Sequence, residues 1–278
     1  MKIFDAHNDF LTTLNYRQIK AYLNHFGLYH KNTRIIAQVW TTRLISPIKY
    51  IKKYSKIIAH SKNIKLGIED LGFINEKNHG TAIREIIRLN PTSCGIVWNN
   101  DNSLGGGALG KKGISPLGEK VVKKLENAGI LVDTAHMNKR TFYDFCNITQ
   151  KPIFNSHCNL YELHKHRRNL DEEQVRKVIS SSGLICLSFV RDFISKKKVI
   201  TAKDIAYQIS YAIKKYGYKY FAIGSDFFGT ENLPNNLENY LHFSNLKKEL
   251  LDLGISRGVI KHVFYKNLKR FINKNKKK

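Results

Sequence analysis

The stretch Asp5-Ala6-His7-Asn8-Asp9 follows the short run Lys2-Ile3-Phe4 and sets an imidazole two residues from a carboxylate. With residues 2–6 as a strand, His7 and Asp9 stand at its C-terminal end, and the i, i+2 spacing points both side chains the same way. Both groups bind hard-to-borderline metal ions. A single His-x-Asp is ordinarily polar loop surface, so its meaning depends on where the other donors fall.

Those donors fall in a pattern. Glu69 closes the apolar run IKLGIE at 64–69, and His136 follows ILVDT at 130–134. His157 follows PIFNS at 152–156, and Asp226 follows YFAIGS at 220–225. Taken singly, each reads as a core-edge histidine, a helix cap or a loop carboxylate. Together, five strand ends deliver three imidazoles and three carboxylates, and ionisable groups carried toward a core need partners. One zinc takes about four ligands. Six donors suit two ions ~3.5–4 Å apart with one carboxylate bridging them, a pair that makes hydroxide from water at neutral pH. The nitrogen content favours zinc over magnesium or calcium, with Mn, Co and Fe as alternatives.

The elements that must carry these residues alternate along the chain. Strands are expected at 2–6, 34–40, 64–69, 94–98, 130–134, 152–156, 184–189 and 220–225. Helical stretches are expected at 16–27, 47–60, 81–89, 115–128, 138–148, from Asp171 to Gly183, 201–216, 244–253 and 256–273. Ser46-Pro47 and Ser115-Pro116 read as helix openings, and Gly129 as a stop. Short, nearly continuous apolar strands argue for a parallel sheet covered on both faces. Eight such units in 278 residues argue for a (β/α)8 TIM-like barrel, which needs about 250. A doubly wound open sheet is the alternative, but its phosphate fingerprint is missing after the first strand. A barrel would carry its chemistry at the C-terminal strand ends, where these donors stand.

Composition narrows the class. The apolar fraction of 42% supplies a core, and no apolar run approaches the ~20 residues of a membrane span. No signal peptide is expected ahead of the first strand. Cys94, Cys146, Cys158 and Cys186 show no CxxC spacing, so reduced thiols and a cytoplasmic location are expected. The formal charge of +25 invites a nucleic-acid or anionic-membrane partner. However, the lysines are spread over every helix, the densest cluster is the tail at 266–278, and no nucleic-acid motif is present. A solvated basic surface with a frayed end is the expectation.

Several segments now carry a resemblance to a known family. Asp5–Asp9, Gly67-Ile68-Glu69, SPLGEKVVKKLENAGILVD at 115–133 with Ala135-His136, and Pro152–His157 run in one order. Arg168-Asn169, Gly224-Ser225-Asp226-Phe227 and Asn267–Phe271 follow. In these the chain resembles the renal or membrane dipeptidases of peptidase family M19, zinc enzymes on a metal-dependent hydrolase barrel. Length and the lack of a dividing linker suit one domain over 1–278, and the resemblance implies two zinc ions. His7 and Asp9 would hold one ion, His136 and His157 the other, and Glu69 would bridge. Arg168 would grip the C-terminal carboxylate of a small dipeptide. Asp226 would orient the metal-bridging hydroxide and pass its proton to the leaving amine. A homodimer is left open.

The chain departs from the family pattern at Trp98-Asn99, where many members have a histidine. Trp98 is expected to wall the substrate pocket and Asn99 to donate a hydrogen bond. Asp70 replaces a glycine after the bridging glutamate, and Phe228 replaces a second aspartate. Three other readings stay open: a related barrel amidohydrolase on another amide or ester, a catalytically silent basic binding protein, and a nucleic-acid-binding role. Two apparent signals drop out. Gly105-(x4)-Gly110-Lys111 lacks the Ser or Thr of a phosphate loop and reads instead as a mobile loop over the pocket. Ser156 and Ser225 adjoin His157 and Asp226 but form no GxSxG elbow. His164 and His166 read as loop histidines near Arg168.

Overall fold

The computed structural model describes residues 1–42 and 44–275. Eight parallel strands close into a barrel in chain order. They are β1 (Ile3–Asn8), β2 (Thr33–Trp40), β3 (Ile64–Glu69), β4 (Ser93–Gly95), β5 (Leu131–Asp133), β6 (Phe154–Cys158), β7 (Leu184–Leu187) and β8 (Phe221–Ile223). Around them lie α1 (Phe10–Thr13), α2 (Tyr16–Tyr29), α3 (Pro47–Ile58), α4 (His79–Leu89), α5 (Pro116–Asn127) and α6 (Lys139–Ile148). The outer layer continues with α7 (Glu172–Ser180), α8 (Ala202–Tyr216), α9 (Phe243–Asp252), α10 (Arg257–Lys261) and α11 (Asn267–Asn275). This is the expected (β/α)8 barrel. None of its helices among the described residues is long and apolar enough to cross a membrane. No disulfide links the four cysteines.

Local chemistry sets the helix starts. Asn15 with Gln18 and Asp171 with Gln174 form reciprocal capping boxes at α2 and α7. Ser115 caps α5 by accepting from the Gly118 N–H, with Pro116 in the first turn. Ser46 stands at the start of α3, but its side chain makes no capping bond. Gly129 takes a left-handed φ of 75° just past α5, where a side chain would be strained.

Two cores hold the barrel together. The outer one packs helix stripes onto strand residues such as Ile35, Ala37 and Val39. The inner one fills the barrel with Phe4, Ala6, Ile36, Leu131, Phe154 and Leu184. Tyr265, Leu268, Phe271 and Ile272 join this inner core. They plug the mouth opposite the strand C-termini, with Phe271 stacked on Phe154 at 5.7 Å between centroids. The stretch at 266–275 is therefore no frayed end, because its apolar face is buried. Lys276–Lys278 of the expected basic tail lie outside the described residues.

The helix expected at 256–273 is also broken. A π-helical turn over His262–Lys266 separates α10 from α11. Val263 and Phe264 face the outer core while Tyr265 and Leu268 face the inner one. The wider turn rotates the chain between those two faces. Buried Asn267 locks it there, its Nδ2 donating to the carbonyls of Tyr218 and Phe221.

Strand bounds shift where the site begins. β1 runs through Asn8 and β6 through Cys158, past the expected ends at 6 and 156. The pairing register slips in both, between Asp5 and Asn8 and between Asn155 and Cys158. His7, Ser156 and His157 sit in these slips, and such irregularities re-aim side chains. Conversely, β4 stops at Gly95 rather than reaching Trp98. There the Asn102 side chain takes the Ile96 carbonyl, and the Trp98 carbonyl accepts from Ala108, so the chain peels away from the sheet.

Candidate metal centre and its pocket

The donor residues converge at the C-terminal rim. Glu69, the last residue of β3, aims one oxygen at three imidazoles. Its Oε1 lies 2.8 Å from His136 Nε2, 3.7 Å from His7 Nε2 and 3.8 Å from His157 Nε2. His7 Nε2 is 3.2 Å from Asp9 Oδ2 and 3.8 Å from Asp226 Oδ1. His136 and His157 bring their Nε2 atoms to 3.1 Å. Three sets of donors fall within single-ion reach of one another: His7, Asp9 and Glu69; Glu69, His136 and His157; and His7, Asp133 and His157. All five sequence-assigned ligands are thus brought together, with Asp226 beside them.

The donor set fits cations. His7 Nε2 and both Asp9 oxygens are buried without a hydrogen bond of good geometry. Orphaned buried groups of this kind cost about 1–3 kcal/mol each unless something satisfies them. Burial holds the His136 and His157 imidazoles well below their ordinary value, and nearby Arg168 and His7 add to it. Both rings are therefore neutral, the form that ligates. Burial and the Asp9 charge lift the Glu69 carboxyl well above the usual range. Burial likewise pushes Asp226 up, to about 7, against the pull of His7. Burial works against a proton on His7, yet Asp9, Glu69 and Asp226 overcome it and raise the ring to about 10. The centre of this cluster is where positive charge is most stabilised.

Backbone strain supports the arrangement. His136 and Asp226 take φ of 67° and 64°, and Asp70 and Phe228 take 73° and 69°. Left-handed non-glycine residues cost of order 1–3 kcal/mol each and gather at functional sites. All four lie in the segments that follow the C-terminal ends of strands. Asp70 uses its position to tie three loops. Its carboxylate accepts from the Thr42 hydroxyl, the Gly72 N–H and the Asn102 amide.

Above the donors opens a cavity of about 540 Å³. Asp9, Glu69, His136 and Asp226 form its floor, while Trp40, Trp98, Phe193 and Phe228 wall it. His7 and His157 lie deeper. Trp98 leans over His136 with centroids 5.8 Å apart and packs on Trp40 at 5.0 Å. Arg168 is buried at the cavity edge, with its guanidinium 2.6 Å from His157 Nε2 and facing the Phe193 ring. His166 also lines the cavity, and its Nδ1 accepts from the Arg168 N–H.

Asn99 lines the cavity and places Oδ1 2.9 Å from His136 Nδ1, so its oxygen holds the ring of a candidate ligand. The segment expected as a mobile loop is packed. Ala108 and Leu109 line the cavity, and a side chain at Gly107 would sit 2.1 Å from the Trp98 carbonyl. The N–H groups of Lys111 and Lys112, which a phosphate loop would offer to its ligand, are spent on the Asp101 carboxylate.

Sequence reasoning passed over Asp5 and Trp40 and set Ser156 aside. The Asp5 carboxylate accepts from the N–H groups of His7 and Ser225 and from the hydroxyls of Ser225 and Tyr240. A carboxylate two residues before a candidate ligand, inside an apolar strand, was the signal for it. Trp40 closes its strand as Glu69 does, opposite it in register.

A closed parallel barrel with a buried His/Asp/Glu cluster on its C-terminal rim defines a metal-dependent hydrolase fold. The sequence pattern of the membrane dipeptidases, peptidase family M19, matches residues 34–278, and the chain belongs to that family. The match contains Glu69, His136, His157, Arg168 and Asp226. An uncharacterized dipeptidase of Schizosaccharomyces pombe is 27% identical over 230 residues, 76% of this chain and 55% of that protein. The chain thus spans about half the length of that curated relative. Among solved structures, an amidohydrolase from Pseudomonas aeruginosa superposes with a TM-score of 0.83 at 19% identity, covering 98% of this chain and 95% of the other. A metallopeptidase from Rhodobacter sphaeroides, crystallised with a phosphinate mimic of L-Ala-D-Ala, gives 0.81 at 15% identity, covering 99% of both. These two likenesses define the shared fold.

Proposed function

We propose that the protein is a dinuclear zinc dipeptidase acting on small dipeptides. The observation that carries this reading is the single Glu69 oxygen lying 2.8–3.8 Å from three imidazole nitrogens. His7 and Asp9 would hold one ion, His136 and His157 the other, with Glu69 shared. The bound ions would supply Lewis acidity for the scissile carbonyl and lower the pKa of the attacking water.

The chain's own groups do the rest. Arg168 offers a buried guanidinium fork at the cavity edge, a match for the C-terminal carboxylate of a free dipeptide. That contact would fix the scissile carbonyl over the rim and favour short substrates. Asp226, raised to about 7, is poised both to take the proton of the attacking water and to return it to the departing amine. Trp98 and Trp40 shield the reacting centre from bulk water, and the cavity of about 540 Å³ falls in the ordinary range for small ligands. The absence of disulfides among the four cysteines fits the reducing cytoplasm.

The test is a panel of free dipeptides with zinc-, manganese-, cobalt- and iron-reconstituted protein, read by release of free amino acids. Turnover is expected, abolished by His136→Ala or Glu69→Ala. Arg168→Ala is expected mainly to raise KM. No hydrolysis of any dipeptide with any metal, or full activity under rigorous chelation, would refute the proposal.

A further inference from the structure

Ser156 is no nucleophile, yet its hydroxyl stands between two ligand rings. Its Oγ lies 3.0 Å from His7 Nδ1 and 2.8 Å from His157 Nδ1. The rings are tilted together with centroids 3.8 Å apart, and all three residues are buried. An imidazole offers a lone pair at Nε2 only when its proton sits on Nδ1. For both rings to ligate, both Nδ1–H groups must donate, and one hydroxyl oxygen has two lone pairs to receive them. Were the serine to donate its own proton to either Nδ1, that ring would carry hydrogen on Nε2 and lose its ligand atom.

The serine is itself held in place. Its N–H donates to Asp133 Oδ1 at 2.9 Å, and the same oxygen accepts the Ala135 N–H at 3.0 Å. Its carbonyl is crowded from just past β8, where a side chain at Gly224 would come within 1.7 Å of it. His136 is oriented separately, through Asn99.

We propose that Ser156 is a positioning residue that sets the ligand tautomer of His7 and His157 together. It thereby ties one member of each metal pair to a single oxygen. This rests on the two-ion reading above. Loss of the hydroxyl should therefore weaken both ions in concert, whereas loss of Asn99 should weaken the His136 ion alone. Outer-sphere partners of ligating histidines typically govern about 10–100-fold in metal affinity.

The experiment is zinc titration in competition with a chromophoric chelator, with visible absorption of the cobalt-loaded protein as a second readout. Wild type, Ser156→Ala and Asn99→Ala are compared after circular dichroism has checked folding, with Ser156→Gly as the second serine variant. In the serine variants both dissociation constants are expected to rise about 10–100-fold and both cobalt signatures to change. In Asn99→Ala only one is expected to move. Wild-type protein that binds fewer than two ions sinks the two-ion reading itself. Wild type that binds two, beside a folded serine variant that binds both as tightly or loses only one, overturns the role of Ser156.

Discussion

Asp5 offers a sharp test of how the rim is braced, because alanine and asparagine should behave very differently there. Oδ1 accepts the His7 N–H at 3.2 Å and the Ser225 N–H at 2.8 Å. Oδ2 accepts the hydroxyls of Ser225 and Tyr240, the latter at 2.6 Å. Asp5→Ala orphans all four donors. The hydroxyls can rotate, and Ser225 has the His7 carbonyl within 3.4 Å. The two N–H groups cannot turn away, and each unsatisfied buried donor costs about 1–3 kcal/mol. A loss of about 4 kcal/mol follows, a large share of the ~5–15 kcal/mol that holds most domains folded. Asp5→Asn keeps an oxygen for both N–H groups and turns its amide toward two hydroxyls that can reverse and accept. It also removes a carboxylate that burial already pushes above its usual range. Its cost should be about 1 kcal/mol. The difference of about 3 kcal/mol corresponds to roughly a hundredfold in the folding constant. Urea melts at neutral pH, followed by Trp40 and Trp98 fluorescence and by circular dichroism, would measure it. If the two variants fall within about 1 kcal/mol of each other, the bracing argument is wrong.

Other consequences can be checked with the same tools. Gly224→Ala places a Cβ 1.7 Å from the Ser156 carbonyl and 3.0 Å from Cys186 Cβ, so a loss of about 3 kcal/mol or more is expected in urea melts. Glu162 ties the Arg168 loop to α8 through Lys215, Tyr211 and Tyr216. Burial would raise its carboxyl, but these partners overcome that and hold it below 4.5. Its contribution is therefore fully present above about pH 4.5 and lost as pH falls through the depressed value. The pair is partly exposed, so Glu162→Gln should cost only about 0.5–1 kcal/mol at neutral pH and nothing in acid; a constant difference from pH 3 to 7 would contradict this. Chelation should lower the thermal midpoint, since ions at a thousand times Kd stabilise by about 4 kcal/mol; a midpoint indifferent to added zinc would count against the metal centre.

Much of this protein is legible along the chain because its determinants are local. A parallel strand buried on both faces must be nearly continuous in apolar residues, as IKLGIE and RIIAQVW are. A donor placed at the end of such a run must face the rim once the barrel closes. His7, Asp9, Glu69, His136, His157 and Asp226 could therefore be named from types and positions alone. Capping boxes at Asn15 and Asp171 and the stop at Gly129 are equally local, each needing only residues within a turn.

Distance in the chain marks what could not be read. Ser156 meets His7 across 149 residues, and the Ser225 hydroxyl meets Asp5 across 220. No spacing rule encodes such pairs. The register slips at His7 and His157 appear only in the pairing with neighbouring strands. The π turn before α11 exists because one helix must fill both an outer core and a barrel mouth. Residue types thus determined which ligands the chain could offer. Closure of the sheet alone decided which atoms share one oxygen, because only closure brings the donors of β1, β3, β5, β6 and β8 to one place.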